Sequence, residues 1–161
     1  MANINRSYKD CSFERYLNEK YAPAQRWAKS EMGEKWIEDH CDALTTSIIQ
    51  RCYDQYLHSC YSLSLNGNIC YIGQTIKPAN RLCVHIYDLV TSPELFGLQT
   101  NELDEIRISA NILEISLYAE KDRKKMVEQY IAQLNPLLQL PSGRCIPLKR
   151  RRAVVEPLLR N

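Results

Sequence analysis

Two tyrosines, an arginine and a histidine follow one another through the middle of the chain: Tyr61, Tyr71, Arg81 and His85. A phenol or an imidazole can accept and pass on a proton, and a guanidinium is the natural bidentate ligand of a phosphate. Far downstream, Glu128 offers a carboxylate of the kind that holds a divalent cation. Together these groups suffice to cut a phosphodiester. Each also has a plain reading. A strand tyrosine usually packs, an Arg–His pair on a helix is usually solvated, and a glutamate beside an apolar stripe is common. Glu114 and Glu120 compete with Glu128 as carboxylates. It is the order and spacing together that argue for chemistry.

The elements that position these residues are legible around residue 60. Tyr61-Ser62-Leu63-Ser64-Leu65 alternates as a half-buried strand does. Asn66-Gly67 is a strong hairpin signal, because both turn positions require positive φ. Ile69 to Ile72 returns as the second strand, so the hairpin sets Tyr61 and Tyr71 on neighbouring strands. Pro78 suits the first turn of a helix whose core face is Leu82, Ile86 and Leu89. Arg81 and His85 lie one turn apart on another face of it. Residues 91 to 105 read as loop with a short helix. Ser109 to Leu117 reads as a third strand. A helix from Lys121 to Leu134 follows, with Val127, Tyr130, Ile131 and Leu134 inward, and Pro136 ends it.

Residues 12 to 58 read as two or three short helices. Leu17, Tyr21, Ala24 and Trp27 form one stripe, which Pro23 is expected to break. Trp36, Ile37, His40, Cys41 and Leu44 form a second. Ile48, Ile49, Cys52, Tyr53 and Tyr56 form a third, with Thr45-Thr46-Ser47 as its candidate N-cap. The expected fold is therefore α+β: a small three-stranded, mostly antiparallel sheet flanked by helices, with an N-terminal helical extension.

The chain has 161 residues, 45% hydrophobic and 25% charged, as in an ordinary globular protein. A net charge of +2 excludes a polycation, so nucleic-acid contact must come from local clusters. Lys149-Arg150-Arg151-Arg152 is such a cluster, and Arg144 would extend it. Runs of this kind touch phosphates, and they equally occur as solvated tails. Lys77 and Lys121 are further candidate phosphate contacts. The segment Met1 to Asp10 lacks the apolar stretch of a signal peptide, and no apolar run is long enough to span a bilayer. The seven scattered cysteines then read as free thiols in a reducing cytoplasm. His40, Cys41, Cys52, His58 and Cys60 match no usual zinc spacing.

Tyr61 followed by Tyr71-Ile72-Gly73, with Arg81, His85 and Glu128, resembles the GIY-YIG nuclease superfamily over about residues 59 to 140. The second half of the signature is intact as Tyr71-Ile72-Gly73, whereas Ser59-Cys60-Tyr61 keeps only the tyrosine of the first half. Glu128 lies one residue nearer the proline than is usual in the family, and Gln139 stands where an asparagine is common. The resemblance implies one-metal hydrolysis of DNA with Mg²⁺ or Mn²⁺ held by Glu128. It implies that Arg81 holds the scissile phosphate, that Tyr61 takes the proton of the attacking water, and that Tyr71 orients water or phosphate. His85 would assist Tyr61, and Tyr71 or His85 could exchange roles with it. Gly73, Lys77, Gln139 and Lys149 to Arg152 would meet the nucleic acid.

The expected organisation is a helical extension over 1–58 for target contacts or oligomerisation, a nuclease core over 59–140 and a basic tail over 141–161. The function expected is a DNA endonuclease of restriction or mobile-element type. Cutting both strands with one site per chain would favour a homodimer or two sequential events. The alternative is a non-catalytic nucleic-acid-binding module on the same fold, and a third reading is a helical protein-interaction domain.

Overall fold

A computed structural model describes residues 12–52 and 55–160, with side chains from Tyr21 onward. The polar first ten residues, the Leu17 side chain and Tyr53 lie outside the described residues. Three helices come first: α1 (Ser12–Lys29), α2 (Glu31–His40) and α3 (Ala43–Arg51). Strands β1 (Ser59–Leu65) and β2 (Asn68–Thr75) follow, then α4 (Pro78–Thr91), β3 (Ile108–Glu114), α5 (Glu120–Leu134) and α6 (Leu148–Val155). Short 3-10 turns cover Pro93–Phe96, Thr100–Glu105 and Glu156–Leu159. The sheet is antiparallel with order β2-β1-β3, so the fold is α+β as expected. No helix among the described residues is long and apolar enough to cross a membrane.

The hairpin turn forms as its dipeptide dictates, with φ of 49° at Asn66 and 81° at Gly67. Pro78 opens α4, and Leu82, Ile86 and Leu89 are all buried. Other elements differ from expectation. The alternating β1 is not half-buried. All seven of its residues are buried, because it is the central strand and helices pack on both faces. Tyr61 reaches His85 of α4 on one face. The neighbouring Cys60 points to the other face, where its thiol donates to the Arg123 carbonyl of α5 at 3.4 Å.

The N-terminal helices are part of this core rather than an appendage. Tyr21, Ala24, Ala28, Ile37 and Ile49 share one apolar cluster with Tyr61, Leu63 and Leu82. Trp27 contacts Tyr87 of α4 and Trp36 of α2, with ring centroids 6.0 and 6.1 Å apart. Helix α1 runs through Pro23. Burial of Tyr21, Ala24 and Ala28 beside it offsets the hydrogen bond that proline removes. The α3 cap is Asp42, not Thr45 to Ser47: its Oδ1 accepts from the Thr45 amide at 2.9 Å. Thr45 itself is buried, and its Oγ1 accepts from the Ala110 amide of β3 at 2.8 Å. Helix α3 also ends at Arg51, before Tyr56.

Both sheet edges are partly covered, which limits pairing with another chain. On β3, the Asp42 amide donates to the Ile108 carbonyl beside the Thr45 contact. On β2, the segment after α5 lies alongside. The Leu137 and Leu138 amides donate to the Ile69 and Cys70 carbonyls, each at 3.0 Å. Gln139 then extends the ladder with its side chain. Its Oε1 accepts from the Ile72 amide at 2.7 Å, and its Nε2 donates to the Ile72 carbonyl at 2.9 Å.

Gln139→Leu leaves both Ile72 backbone groups unpaired, at a cost of about 1–3 kcal/mol each. The urea midpoint is expected to fall steeply at unchanged slope. A loss below about 1 kcal/mol would show that this side-chain ladder contributes little.

Candidate active site

Tyr61, Tyr71, Arg81 and His85 come together between β1, β2 and the first turns of α4. The Tyr61 hydroxyl lies 2.7 Å from His85 Nε2. The Tyr71 ring lies 5.2 Å from the His85 ring and 6.2 Å from the Tyr61 ring, centroid to centroid. The two phenols lie close enough for each to bear on the other's ionisation.

Gly73 makes this arrangement possible. It is the direct cross-strand partner of Tyr61. A Cβ on it would sit 2.7 Å from the Tyr61 hydroxyl oxygen and 2.8 Å from Tyr71 Cε1. The glycine therefore leaves the space that the two rings fill. It is itself buried, so its part is to shape the cluster rather than to offer a surface to nucleic acid.

Burial governs the protonation states. Tyr61 is only 1% exposed, and burial holds its phenol well above the ordinary range. The nearby Tyr71 pushes in the same direction, while Arg81 opposes. Tyr71 is half-buried, and burial raises it against the opposing pull of Arg81. His85 is pushed down to about 3, first by burial and then by the Arg81 charge. At neutral pH the cluster is two phenols and a neutral imidazole, and we assign the Tyr61 hydroxyl as donor to Nε2. Among the described residues, Arg81 is the only cation whose charge bears on all three. No carboxylate pairs with it among the described residues.

The other candidates are scattered. Lys77 stands at the N-cap of α4, one turn before Arg81, with its ammonium 4.6 Å from the Tyr56 ring centroid. Glu128 is exposed on α5, which packs on the opposite face of the sheet from α4. It shares a helical face with Ile131, whose Cδ1 lies 3.6 Å from where a Gly143 Cβ would stand, at the β2 edge. Glu128 makes no hydrogen bond or ion pair among the described residues. Gln139 is buried, with its amide taken up by Ile72 and by the Gly143 carbonyl. Half of the basic run is likewise engaged, since residues 148–155 form a packed helix instead of a tail. Arg151 donates to the Leu95 and Ile146 carbonyls, and Arg152 binds the Glu102 carboxylate with both terminal nitrogens. Lys149 and Arg150 remain exposed.

The carboxylate expected to hold a divalent cation is Glu128. Among the described residues no three His, Cys, Asp or Glu side chains gather. A single carboxylate suits Mg²⁺, which keeps most of its waters and takes substrate phosphate oxygens. Sequence reasoning missed Cys145, whose thiol lies near enough to Tyr71 to bear on its ionisation. It also missed Arg123, which is buried and donates to Gln74 Oε1 and to the Leu117 and Tyr118 carbonyls. Neither position carries a local signal in the sequence. No family model, no curated protein and no solved structure matches the chain.

The depressed His85 has a measurable consequence. The folded protein refuses a proton that the unfolded chain accepts below pH 6.5. The group is therefore without effect above that value. As pH falls from 6.5 toward 3, it removes stability at up to about 1.4 kcal/mol per pH unit. Imidazole resonances of folded His85 are expected to show no protonation above pH 5 or thereabouts. A titration midpoint near 6.5 would contradict its neutral state.

Proposed function

We propose that this chain is a metal-dependent endonuclease that hydrolyses DNA phosphodiesters. The observation that carries the reading is the unpaired guanidinium of Arg81 beside two phenols and a neutral imidazole. A half-buried cation lacking a carboxylate is a site for an anion, and a guanidinium matches the two oxygens of a phosphodiester. The three-stranded sheet with Arg81 and His85 on the following helix is also what the GIY-YIG resemblance leads one to expect.

Arg81 would bind the scissile phosphate and hold the charge that grows on it during attack. Tyr71 is the more exposed of the two phenols and is the one that can meet the attacking water. Tyr61 is sealed from solvent, which makes it a relay rather than the first acceptor. As the water oxygen bonds to phosphorus, its proton passes to the Tyr71 oxygen. Tyr71 hands its own proton to Tyr61, and Tyr61 hands its proton to His85 Nε2. The phosphorus–oxygen bond to the leaving sugar breaks, and that oxygen takes a proton from solvent. His85 becomes a better acceptor once a bound phosphate offsets the Arg81 charge that depresses it. Glu128, on the far face of the sheet from this cluster, is the carboxylate that the resemblance assigns to a Mg²⁺ or Mn²⁺ ion, whose contribution would be charge neutralisation at a phosphate. With one cluster per chain, cleavage of both strands calls for a homodimer or two successive events.

A second reading is a non-catalytic DNA-binding module. The exposed position of Glu128, free of any contact with the cluster, favours it. The two readings part in one assay, in which the full chain meets supercoiled plasmid with Mg²⁺, Mn²⁺ or chelator. Metal-dependent nicking or linearisation is expected, reduced roughly 100-fold or more by Arg81→Ala and lost in Glu128→Ala. Binding without cleavage under any metal would favour the module. Undiminished cleavage by Arg81→Ala would remove the cluster from the reaction.

A further inference from the structure

Just beyond the strand ends, where β1 begins and β2 and β3 end, three segments are laced side by side. The Leu57 amide donates to the Ile76 carbonyl at 2.8 Å, and the Leu117 amide donates to the His58 carbonyl at 3.2 Å. This joint presents two aromatic rings to solvent: Tyr118 is 74% exposed and Tyr56 is 64% exposed. Both rings sit against nitrogen groups. Tyr118 lies 5.2 Å from the His58 ring, and Tyr56 carries the Lys77 ammonium over its face at 4.6 Å. Lys77 in turn leads to Arg81 one helical turn on, through the bond from the Arg81 amide to the Lys77 carbonyl.

The Tyr118 ring does not hang on a loose loop. Arg123, a buried cation, directs one terminal nitrogen at the Leu117 and Tyr118 carbonyls, at 2.7 and 2.9 Å. Its Nε is fixed by Gln74 of β2 at 2.8 Å. A buried guanidinium with no carboxylate partner among the described residues thus pins the backbone under an exposed aromatic ring. Exposed rings beside an ammonium, one of them on a braced backbone, are a construction that can stack nucleobases while a cation meets the adjoining phosphates.

We propose that Tyr118 and Tyr56 form a stacking platform for unpaired bases of a DNA strand next to the phosphate held by Arg81. This rests on the nuclease reading and narrows its substrate to DNA with a single-stranded segment. In a duplex the base faces are hidden inside the stack and cannot reach the rings, whereas unpaired bases can splay onto them.

The test is fluorescence anisotropy of the full chain with a short labelled oligothymidylate and with a duplex of equal length, both in chelator so that nothing is cut. The wild type is expected to bind the single strand more tightly. Tyr118→Ala is expected to weaken single-strand binding by about five- to a hundredfold, with duplex binding little changed. Tyr118→Phe should retain the affinity, because the ring face remains, and Tyr118→Leu should behave like alanine. Equal affinity for the two DNAs would overturn the proposal. So would wild-type binding by Tyr118→Leu, which would mark an apolar surface for a protein partner. The outcome separates from that of the nuclease reading. Plasmid cleavage without a Tyr118-dependent strand preference sinks the platform alone. Tyr118-dependent single-strand binding, with neither the plasmid nor the oligothymidylate cut in Mg²⁺ or Mn²⁺, upholds the platform and sinks the nuclease.

Discussion

The part-buried hydrogen bond between the Tyr61 hydroxyl and His85 Nε2 ties the central strand to the helix above it, and the surrounding structure is built to permit it. The Tyr61 phenol lies inside the core and must find a partner, because an unpaired polar group there costs more than a made bond gains. The pairing needs α4 close over β1, which Pro78 and the Leu82, Ile86 and Leu89 stripe provide. It needs room for the Tyr61 ring across the neighbouring strand, which the missing Cβ of Gly73 provides. It also needs a neutral imidazole, which burial and the Arg81 charge enforce.

With Tyr61 sealed, the cluster meets solvent through the half-buried Tyr71, Arg81 and His85, the groups that the proposed chemistry would use. The remainder of the fold keeps that surface in place from behind. Gln139 holds Ile72, between Tyr71 and Gly73, by both backbone groups, and so braces the strand segment on which the site depends. On the other face Arg123 ties Gln74 to the loop that carries Tyr118. Two buried polar side chains therefore brace the two neighbours of Gly73.

Much of this was legible because it depends on local stereochemistry. Asn66-Gly67 declares its turn through the positive φ it tolerates, Pro78 declares a helix start, and the i, i+4, i+7 stripe of α4 declares its buried face. The grouping of Tyr61, Tyr71, Arg81 and His85 followed from that hairpin and helix. What was not legible depends on partners distant in sequence. The alternation of β1 cannot reveal that Ser62 and Ser64 lie beneath a second layer of helices. The basic run at 149–152 looks uniform, yet Arg151 and Arg152 are drawn inward by carbonyls and a carboxylate some fifty residues away. Pro23 stays helical because the tertiary burial of its neighbours outweighs a local penalty. Gln139 looks like a polar surface residue, and only the edge of β2 beside it makes it structural.

The measurement that bears most directly on the site is a nuclear magnetic resonance titration of the full chain with a phosphorothioate oligothymidylate in chelator, following the Arg81 Nε–H and the His85 imidazole. Phosphate binding at the cluster should shift both resonances. It should also raise the His85 pKa from about 3, because the bound anion offsets the Arg81 charge that helps to depress it. Shifts confined to Lys149 and Arg150, with His85 and Arg81 unmoved, would show that the nucleic acid binds elsewhere and would contradict the assignment of this cluster as the site of phosphodiester cleavage.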